Sequence, residues 1–225
     1  MASRPKHPDP RPAPRLYLVT PPVADAPTFS ASLATALAAG DVAAVLLRLA
    51  DTDERTLINR AKALAAIVQN KGAALLLGGH QTLESQVDLV ARAGADGVHA
   101  TGMTAFGAAI EQFKPERIVG AGGLVTRHDA MVAAEMGADY VMFGEPDDAG
   151  ARPGFDAIAE RVAWWAEVFE APCVGYAASM AEVAPLVTAG ADFIALGDWL
   201  WRDPPAIASV TAEAARQMRL PESAV

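Results

Sequence analysis

The sequence predicts a single α/β domain, a (β/α)8 TIM barrel, on three observations. Eight short apolar runs alternate with segments of helical periodicity, most runs lack the polar alternation of a sheet with one wet face, and Gly-Ala-Asp recurs where helices give way to strands. The length of 225 residues suits one such barrel.

The runs read as strands are Leu16–Thr20, Ala43–Leu47, Ala73–Leu77, Gly97–Ala100, Arg117–Gly120, Tyr140–Phe143, Pro172–Tyr176 and Phe193–Leu196. They are too short for helices, whereas Arg55–Gln69, Leu83–Ala93, Asp129–Met136 and Met180–Ala189 repeat their apolar residues at a helical period. Ala93-Gly94-Ala95-Asp96-Gly97-Val98, Met136-Gly137-Ala138-Asp139-Tyr140-Val141 and Ala189-Gly190-Ala191-Asp192-Phe193-Ile194 each end a helix with a glycine suited to a left-handed cap and then open a strand. Ala39-Gly40-Asp41-Val42 is a looser fourth copy.

Residues 1–15 carry Pro5, Pro8, Pro10, Pro12 and Pro14 among charged residues and read as a disordered tail without the apolar core of a secretory signal. The barrel is expected over residues 16–220. A net charge of −9 with no basic run argues against nucleic acid or an anionic lipid surface as partner. No apolar stretch approaches the ~20 residues of a membrane span. Cys173, the sole cysteine, cannot form an internal disulfide, and the chain reads as cytoplasmic.

Barrel chemistry sits at the carboxyl ends of the strands. The residues there are Thr20 and Asp25, Arg48 and Asp51, His80, His99 and Thr104, then Gly122, Gly123, Arg127 and His128. Glu145, Asp147, Asp148 and Arg152 follow the sixth strand, Tyr176 and Ser179 the seventh, and Asp198, Trp199 and Arg202 the eighth. Lys6, Lys62, Lys71 and Lys114 lie in the tail, in a helix or at the opposite face, so Schiff-base chemistry is disfavoured by position. No His-x-His or His-Glu-x-x-His spacing marks a zinc site, no metal ligands are assigned, and His99 is expected to satisfy a strand-end backbone group. Gly120-Ala121-Gly122-Gly123 suits either an anion-cradling loop or a tight turn.

Leu16-Tyr17-Leu18-Val19-Thr20-Pro21, Gly94-Ala95-Asp96-Gly97-Val98-His99 and Gly137-Ala138-Asp139-Tyr140-Val141-Met142-Phe143-Gly144 together resemble the thiamine-phosphate synthase and TenI-type thiazole tautomerase superfamily. The resemblance covers about Leu16 to Leu200. It implies a barrel that, in the synthase, joins a hydroxymethylpyrimidine diphosphate to a thiazole phosphate with magnesium and releases diphosphate. Of the family's Gln-x-Arg-x-Lys, the matching Leu46, Arg48 and Ala50 keep only the arginine. The two magnesium-binding carboxylates fall at Gly78-Gly79 and near Thr104, and the fifth-loop serine falls at about Gly122. The diphosphate clamp after the sixth strand becomes Glu145-Pro146-Asp147-Asp148, and the thiazole-phosphate contacts fall at about Tyr176-Ala177 and Asp198. The tautomerase histidine falls near Val125, three positions before His128.

Two readings stand. One is an enzyme with a rearranged site, a transferase of the synthase type or a TenI-like isomerase, in which Arg48 anchors an anionic group and His80 or His128 moves protons. Magnesium belongs only to the parent reaction. The other is a non-catalytic paralogue binding a small molecule or partner, its acidic mouth of Glu145, Asp147, Asp148 and Asp198 favouring a cation such as a thiazolium or an amine. The expected ligand set is Arg48, Gly122, Gly123, Glu145, Tyr176 and Asp198. Trp164-Trp165 and Trp199/Trp201 form two aromatic pairs in which one member of each is expected at the surface, where aromatics suit a homodimer interface.

Overall fold

Parallel strands buried on both faces can close on themselves when each is followed by a helix, and a computed structural model shows that closure. It describes residues 12–79, 83–147 and 149–219. Most of the expected tail, His80 and Asp148 lie outside the described residues.

The strands are β1 (Arg15–Val19), β2 (Val42–Arg48), β3 (Ala74–Gly78), β4 (Gly97–Thr101), β5 (Ile118–Gly122), β6 (Tyr140–Phe143), β7 (Cys173–Ala177) and β8 (Phe193–Leu196). They alternate with α1 (Ala26–Ala39), α2 (Glu54–Gln69), α3 (Leu83–Ala93), α4 (Met103–Phe113), α5 (Arg127–Glu135), α6 (Phe155–Val168), α7 (Val183–Thr188) and α8 (Ile207–Gln217). Each strand pairs in parallel with the next, and β8 pairs with β1, so the sheet has no edge. The segment expected as one helix from Met180 begins as a 3₁₀ turn, Met180–Glu182, and Arg15, expected in the tail, opens β1.

The three Gly-Ala-Asp copies do the same work in three places. Gly94, Gly137 and Gly190 take positive φ of 73°, 97° and 93°, which a Cβ would strain. The following alanine N–H groups bond back to Val90, Ala133 and Leu186, closing Schellman caps. Each aspartate then accepts a backbone N–H of the preceding strand: Asp96 from Leu75 at 2.7 Å, Asp139 from Val119 at 2.7 Å and Asp192 from Cys173 at 2.8 Å. β3, β5 and β7 are thereby riveted to the chain entering β4, β6 and β8, all at the amino-terminal end of the barrel. The fourth copy departs from the pattern: Gly40 is extended, and the Asp41 carboxylate pairs with the Arg15 guanidinium instead of a strand N–H.

Side chains alternate across the strands. Leu16, Leu18, Val45, Leu47, Leu75, Leu77, Val141 and Phe143 pack outward under the helices. Tyr17, Val19, Leu46, Leu76, Tyr140, Met142, Val174 and Tyr176 fill the inside. Trp165 anchors the outer layer, fully buried, stacked on Phe169 at 4.1 Å and donating its indole N–H to the Ala171 carbonyl at 2.7 Å. Its neighbour Trp164 is half-buried beneath Arg127, as adjacent helical positions require.

Candidate functional site

The carboxyl ends of the strands are tied across the closing seam by side chains from both of its ends. Arg48, the last residue of β2, donates its backbone N–H to Thr20 Oγ1 at 3.0 Å and its Nε–H to the Thr20 carbonyl at 2.5 Å. Its guanidinium is thereby turned to the Asp198 carboxylate, with which it forms an ion pair. Asp198 opens a short 3₁₀ turn, Asp198–Trp201, whose two indoles reach opposite ways. Trp199 donates to the Ala177 carbonyl at 2.8 Å and Trp201 to the Val19 carbonyl at 2.7 Å, holding the turn to the ends of β7 and β1. A four-residue 3₁₀ turn is not an α-helix N-terminus, so the Asp198 carboxylate acts through Arg48 and not against a helix dipole.

A second set runs through the barrel interior. Tyr17 and Tyr140 hydroxyls lie 2.7 Å apart, Tyr140 meets His99 Nδ1 at 2.9 Å, and His99 Nε2 meets Glu145 Oε2 at 3.0 Å. The His99 and Tyr140 rings stack at 5.7 Å. Burial pushes both phenols above the ordinary tyrosine range. His99 was expected to meet a backbone group; its two ring nitrogens instead meet a phenol and a carboxylate, because an inward-facing strand residue sees other strands' side chains and no open backbone.

Gly122 closes β5 and lies against this set. A Cβ there would fall 2.0 Å from Glu145 Oε1 and 2.3 Å from His99 Nε2. Gly123, at φ 60°, follows the strand, and α5 begins only after a capping box between Thr126 and Asp129. His128 is exposed on the first turn of α5. Asp147 accepts the backbone N–H groups of Ala149 and Ala151 and so shapes its own loop.

Tyr176 is buried at the end of β7, its hydroxyl under Gly197, where a Cβ would come within 1.8 Å. Burial, then the nearby Asp198 carboxylate, raises its phenol pKa. The Arg152 guanidinium lies 5.9 Å from the Tyr176 ring and donates to Glu182 at 3.0 Å, and the same Glu182 oxygen accepts the Ala178 N–H. The structure therefore gathers Arg48 with Asp198 and Tyr176, and Gly122 with Glu145 and His99, while His128 stands apart from both sets.

Sequence reasoning passed over Tyr17 and Tyr140 as working residues and placed Arg152 after the sixth strand without giving it a role. The signal for the tyrosines was available: a phenol inside a barrel needs a hydrogen-bond partner, and a polar strand residue such as His99 is the natural one.

By the resemblance, the magnesium of the parent reaction is held by carboxylates after β3 and β4, at positions matched here by Gly78-Gly79 and Thr104. Among the described residues, no three His, Cys, Asp or Glu side chains gather as a metal-holding group. The described residues do not fit that site.

A family model for thiamine monophosphate synthase matches residues 16–199. The thiamine-phosphate synthase of Rhodospirillum centenum is 41% identical over 214 residues, covering 91% of this chain and 98% of that protein. That of Hyphomonas neptunium is 37% identical over 216 residues, covering 88% and 92%. Among solved structures, thiamine phosphate pyrophosphorylase from Pyrococcus furiosus superposes with a TM-score of 0.71 at 20% identity, covering 91% of this chain and 95% of that one. A 3-hexulose-6-phosphate synthase superposes at 0.66 and 16% identity over 88% of this chain and 99% of its own. At such identities the superpositions speak for the barrel alone, whereas the family model and the two full-length relatives speak for descent. Among the described residues, no helix is long and apolar enough to cross a membrane. From the match over residues 16–199 and the full-length likeness to two synthases, the chain belongs to the thiamine monophosphate synthase family.

Proposed function

We propose that the chain is a thiamine-phosphate-synthase-like barrel of thiamine biosynthesis that binds a thiamine precursor at its mouth and does not run the parent diphosphate-releasing transfer at an ordinary synthase rate. One observation carries this reading. Arg48, the cation retained from the matched diphosphate-handling positions, is held by Asp198, itself at a position where the resemblance implies a phosphate contact. An incoming diphosphate must therefore displace a carboxylate before it meets that guanidinium, and it does so without the carboxylates that would place a magnesium ion.

Losing a single preorganised charge-stabilising group costs a factor of about 10² to 10³ in turnover. Several are replaced together, at Ala50, Gly79 and Thr104. The mouth keeps residues that bind and orient. Arg48 is fixed by Thr20, Tyr176 is a buried wall, and Glu145 is a carboxylate beside a hydrogen-bonded histidine. The full-length likeness to relatives named thiamine-phosphate synthase supports the link to thiamine precursors.

A second reading, a TenI-like proton-transfer enzyme, is favoured by the placement of His99 between Tyr140 and Glu145, since a histidine oriented on both nitrogens is a ready proton carrier.

The test supplies both precursors with magnesium and measures thiamine phosphate by fluorescence after oxidation to thiochrome. Background formation is expected, with saturable thiazole-phosphate binding by calorimetry that tightens in Asp198→Ser as Arg48 is released. Turnover within about tenfold of an ordinary synthase overturns the proposal, as does the absence of binding by either precursor. Interconversion of thiazole tautomers by the native chain selects the second reading.

A further inference from the structure

We propose that a proline- and aromatic-lined groove beside the barrel mouth is a docking site for a basic polyproline segment, and that its occupant is residues 4–8 of this same chain. The inference goes beyond the function proposed above and does not depend on it.

The groove has a volume of about 320 Å³ and lies between the start of α1 and the turn after β8, walled by Pro21, Pro22, Phe29, Trp201 and Pro204, with Asp25 among its lining residues. Its walls are fixed before anything binds. The Trp201 indole N–H is held by the Val19 carbonyl at 2.7 Å, its ring lies 4.9 Å from that of Phe29, and the prolines lock their own φ. Both aromatic rings are half-buried, and Asp25, whose carboxylate accepts the Thr28 hydroxyl, is exposed. Rigid aromatic and proline faces beside a carboxylate suit a polyproline II ligand that carries a cation, since three residues per turn put every third side chain on one edge.

The chain supplies such a ligand. In Arg4-Pro5-Lys6-His7-Pro8 the two prolines stand three positions apart and share an edge, with Arg4 and Lys6 beside them, in a chain whose net charge is −9. Reach decides which prolines can arrive. Ala13 and Pro14 line a cleft with Ala39, the last residue of α1, at the amino-terminal end of the barrel. From Ala39 the helix runs back about 15 Å to Phe29 and about 20 Å to Ala26. A polyproline segment leaving Pro14 at about 3.1 Å per residue carries Pro8 about 19 Å and Pro5 about 28 Å along that path. Pro8 then falls at Phe29 and Trp201, Lys6 beside Asp25 and Pro5 over Pro21-Pro22, while Pro10 and Pro12 stop short of the groove. The face of α1 along the path, with Thr28, Ala31, Thr35 and Ala38, is exposed and uncharged, so it sets no charge against the passing segment. Tethering supplies the affinity. A short linker gives an effective concentration of about 1 mM, so a groove that binds the separate peptide at only about 0.1 mM is about nine-tenths filled by its own segment.

The test places a nitroxide on Ser3→Cys in the full chain, where Cys173 is buried, and reads paramagnetic broadening in nitrogen-15 spectra. The Trp201 indole and the Thr28 and Ser32 amides are expected to lose most of their intensity, while α5, across the barrel, keeps its own. Asp25→Lys, and separately a chain carrying Pro5→Gly with Pro8→Gly, are each expected to restore most of the lost intensity and to leave the rest of the barrel spectrum unchanged. A mixture of nitroxide-bearing chains with nitrogen-15 chains that carry no nitroxide is expected to show no broadening. Unbroadened groove signals overturn the inference. So does broadening that survives both sets of substitutions, which marks general attraction of a basic segment to an acidic barrel. Broadening in the mixture gives the groove to the segment of a second copy and overturns it as well.

Discussion

Replacing Asp96 with alanine should destabilise the barrel far more than replacing Asp41, although both aspartates follow a glycine at the foot of a strand. Asp96 Oδ2 accepts the Leu75 N–H at 2.7 Å and the Gln69 side-chain amide at 3.1 Å, and Leu75 is fully buried. Removing the carboxylate orphans a strand N–H that water cannot reach, and hydrogen bonds of this kind contribute about 1.5–3 kcal/mol. In a domain of this size each kcal/mol moves the melting temperature by about 2–4 °C, so a loss of about 2 kcal/mol lowers it by roughly 4–8 °C. Asp41 instead pairs with Arg15 at 2.8 Å with 74% of its side chain exposed. Screening and side-chain entropy reduce such a pair to about 0.5 kcal/mol, or roughly 1–2 °C. Asp96→Asn, which keeps an acceptor oxygen but not the charge, should fall between. Differential scanning calorimetry of the three variants reads the contrast directly. Equal losses in Asp96→Ala and Asp41→Ala, or an Asp96→Ala variant within 1 °C of the native chain, would refute the assignment of the rivet.

Trp165→Ala removes a fully buried indole stacked on Phe169 and hydrogen-bonded to Ala171; urea unfolding should show a loss of about 3–5 kcal/mol. Cys173 is buried in β7, so its thiol should react with a maleimide only as fast as the chain opens, and stoichiometric labelling within minutes in the native state would contradict this. Hydrogen bonds from Thr56 hold the Asp53 carboxyl, and those from Thr126 hold the Asp129 carboxyl, below the ordinary aspartate range. Because these pKa values are depressed on folding, their contribution is fully present above about pH 5 and is lost as pH falls below about 4. Melting temperatures between pH 6 and 2.5 should decline less steeply in Asp53→Asn than in the native chain.

The barrel was legible because its signals are local. Leu75 to Leu77, Val141 to Phe143 and Ile194 to Leu196 are too short and too uniformly apolar for anything but strands covered on both faces, and the Gly-Ala-Asp copies mark their entrances. Where the reading slipped, the cause was pairing with a neighbour: Gly122 reads as loop from its composition, yet β5 extends to it because it pairs with Thr101 of β4. Individual mouth residues such as Arg48, Asp198 and Glu145 could be named from their positions after strands. Their partners could not. The Arg48 ion pair spans 150 residues and the Tyr17 to Tyr140 bond 123, and nothing in the intervening sequence encodes that they meet. Only closure of the sheet brings them together.

That closure bears on how the chain assembles. The three aspartate rivets join residues 21, 20 and 19 positions apart, so each can form within one strand-helix-strand unit as soon as that unit collapses. The seam between β8 and β1 is the opposite case: Trp201 reaches Val19 across 182 residues and Asp198 reaches Arg48 across 150. Loop-closure entropy places such contacts late in folding, after the local units exist. A chain emerging from the ribosome therefore possesses most of its barrel wall before Asp198 and Trp201 have been synthesised, and the mouth at the carboxyl ends of its strands is completed only when the final strand docks. Truncation just before β8 should leave a collapsed, helical but unsealed intermediate, exposing the unpaired backbone edges of β1 and β7 to whatever chaperone or neighbour is present.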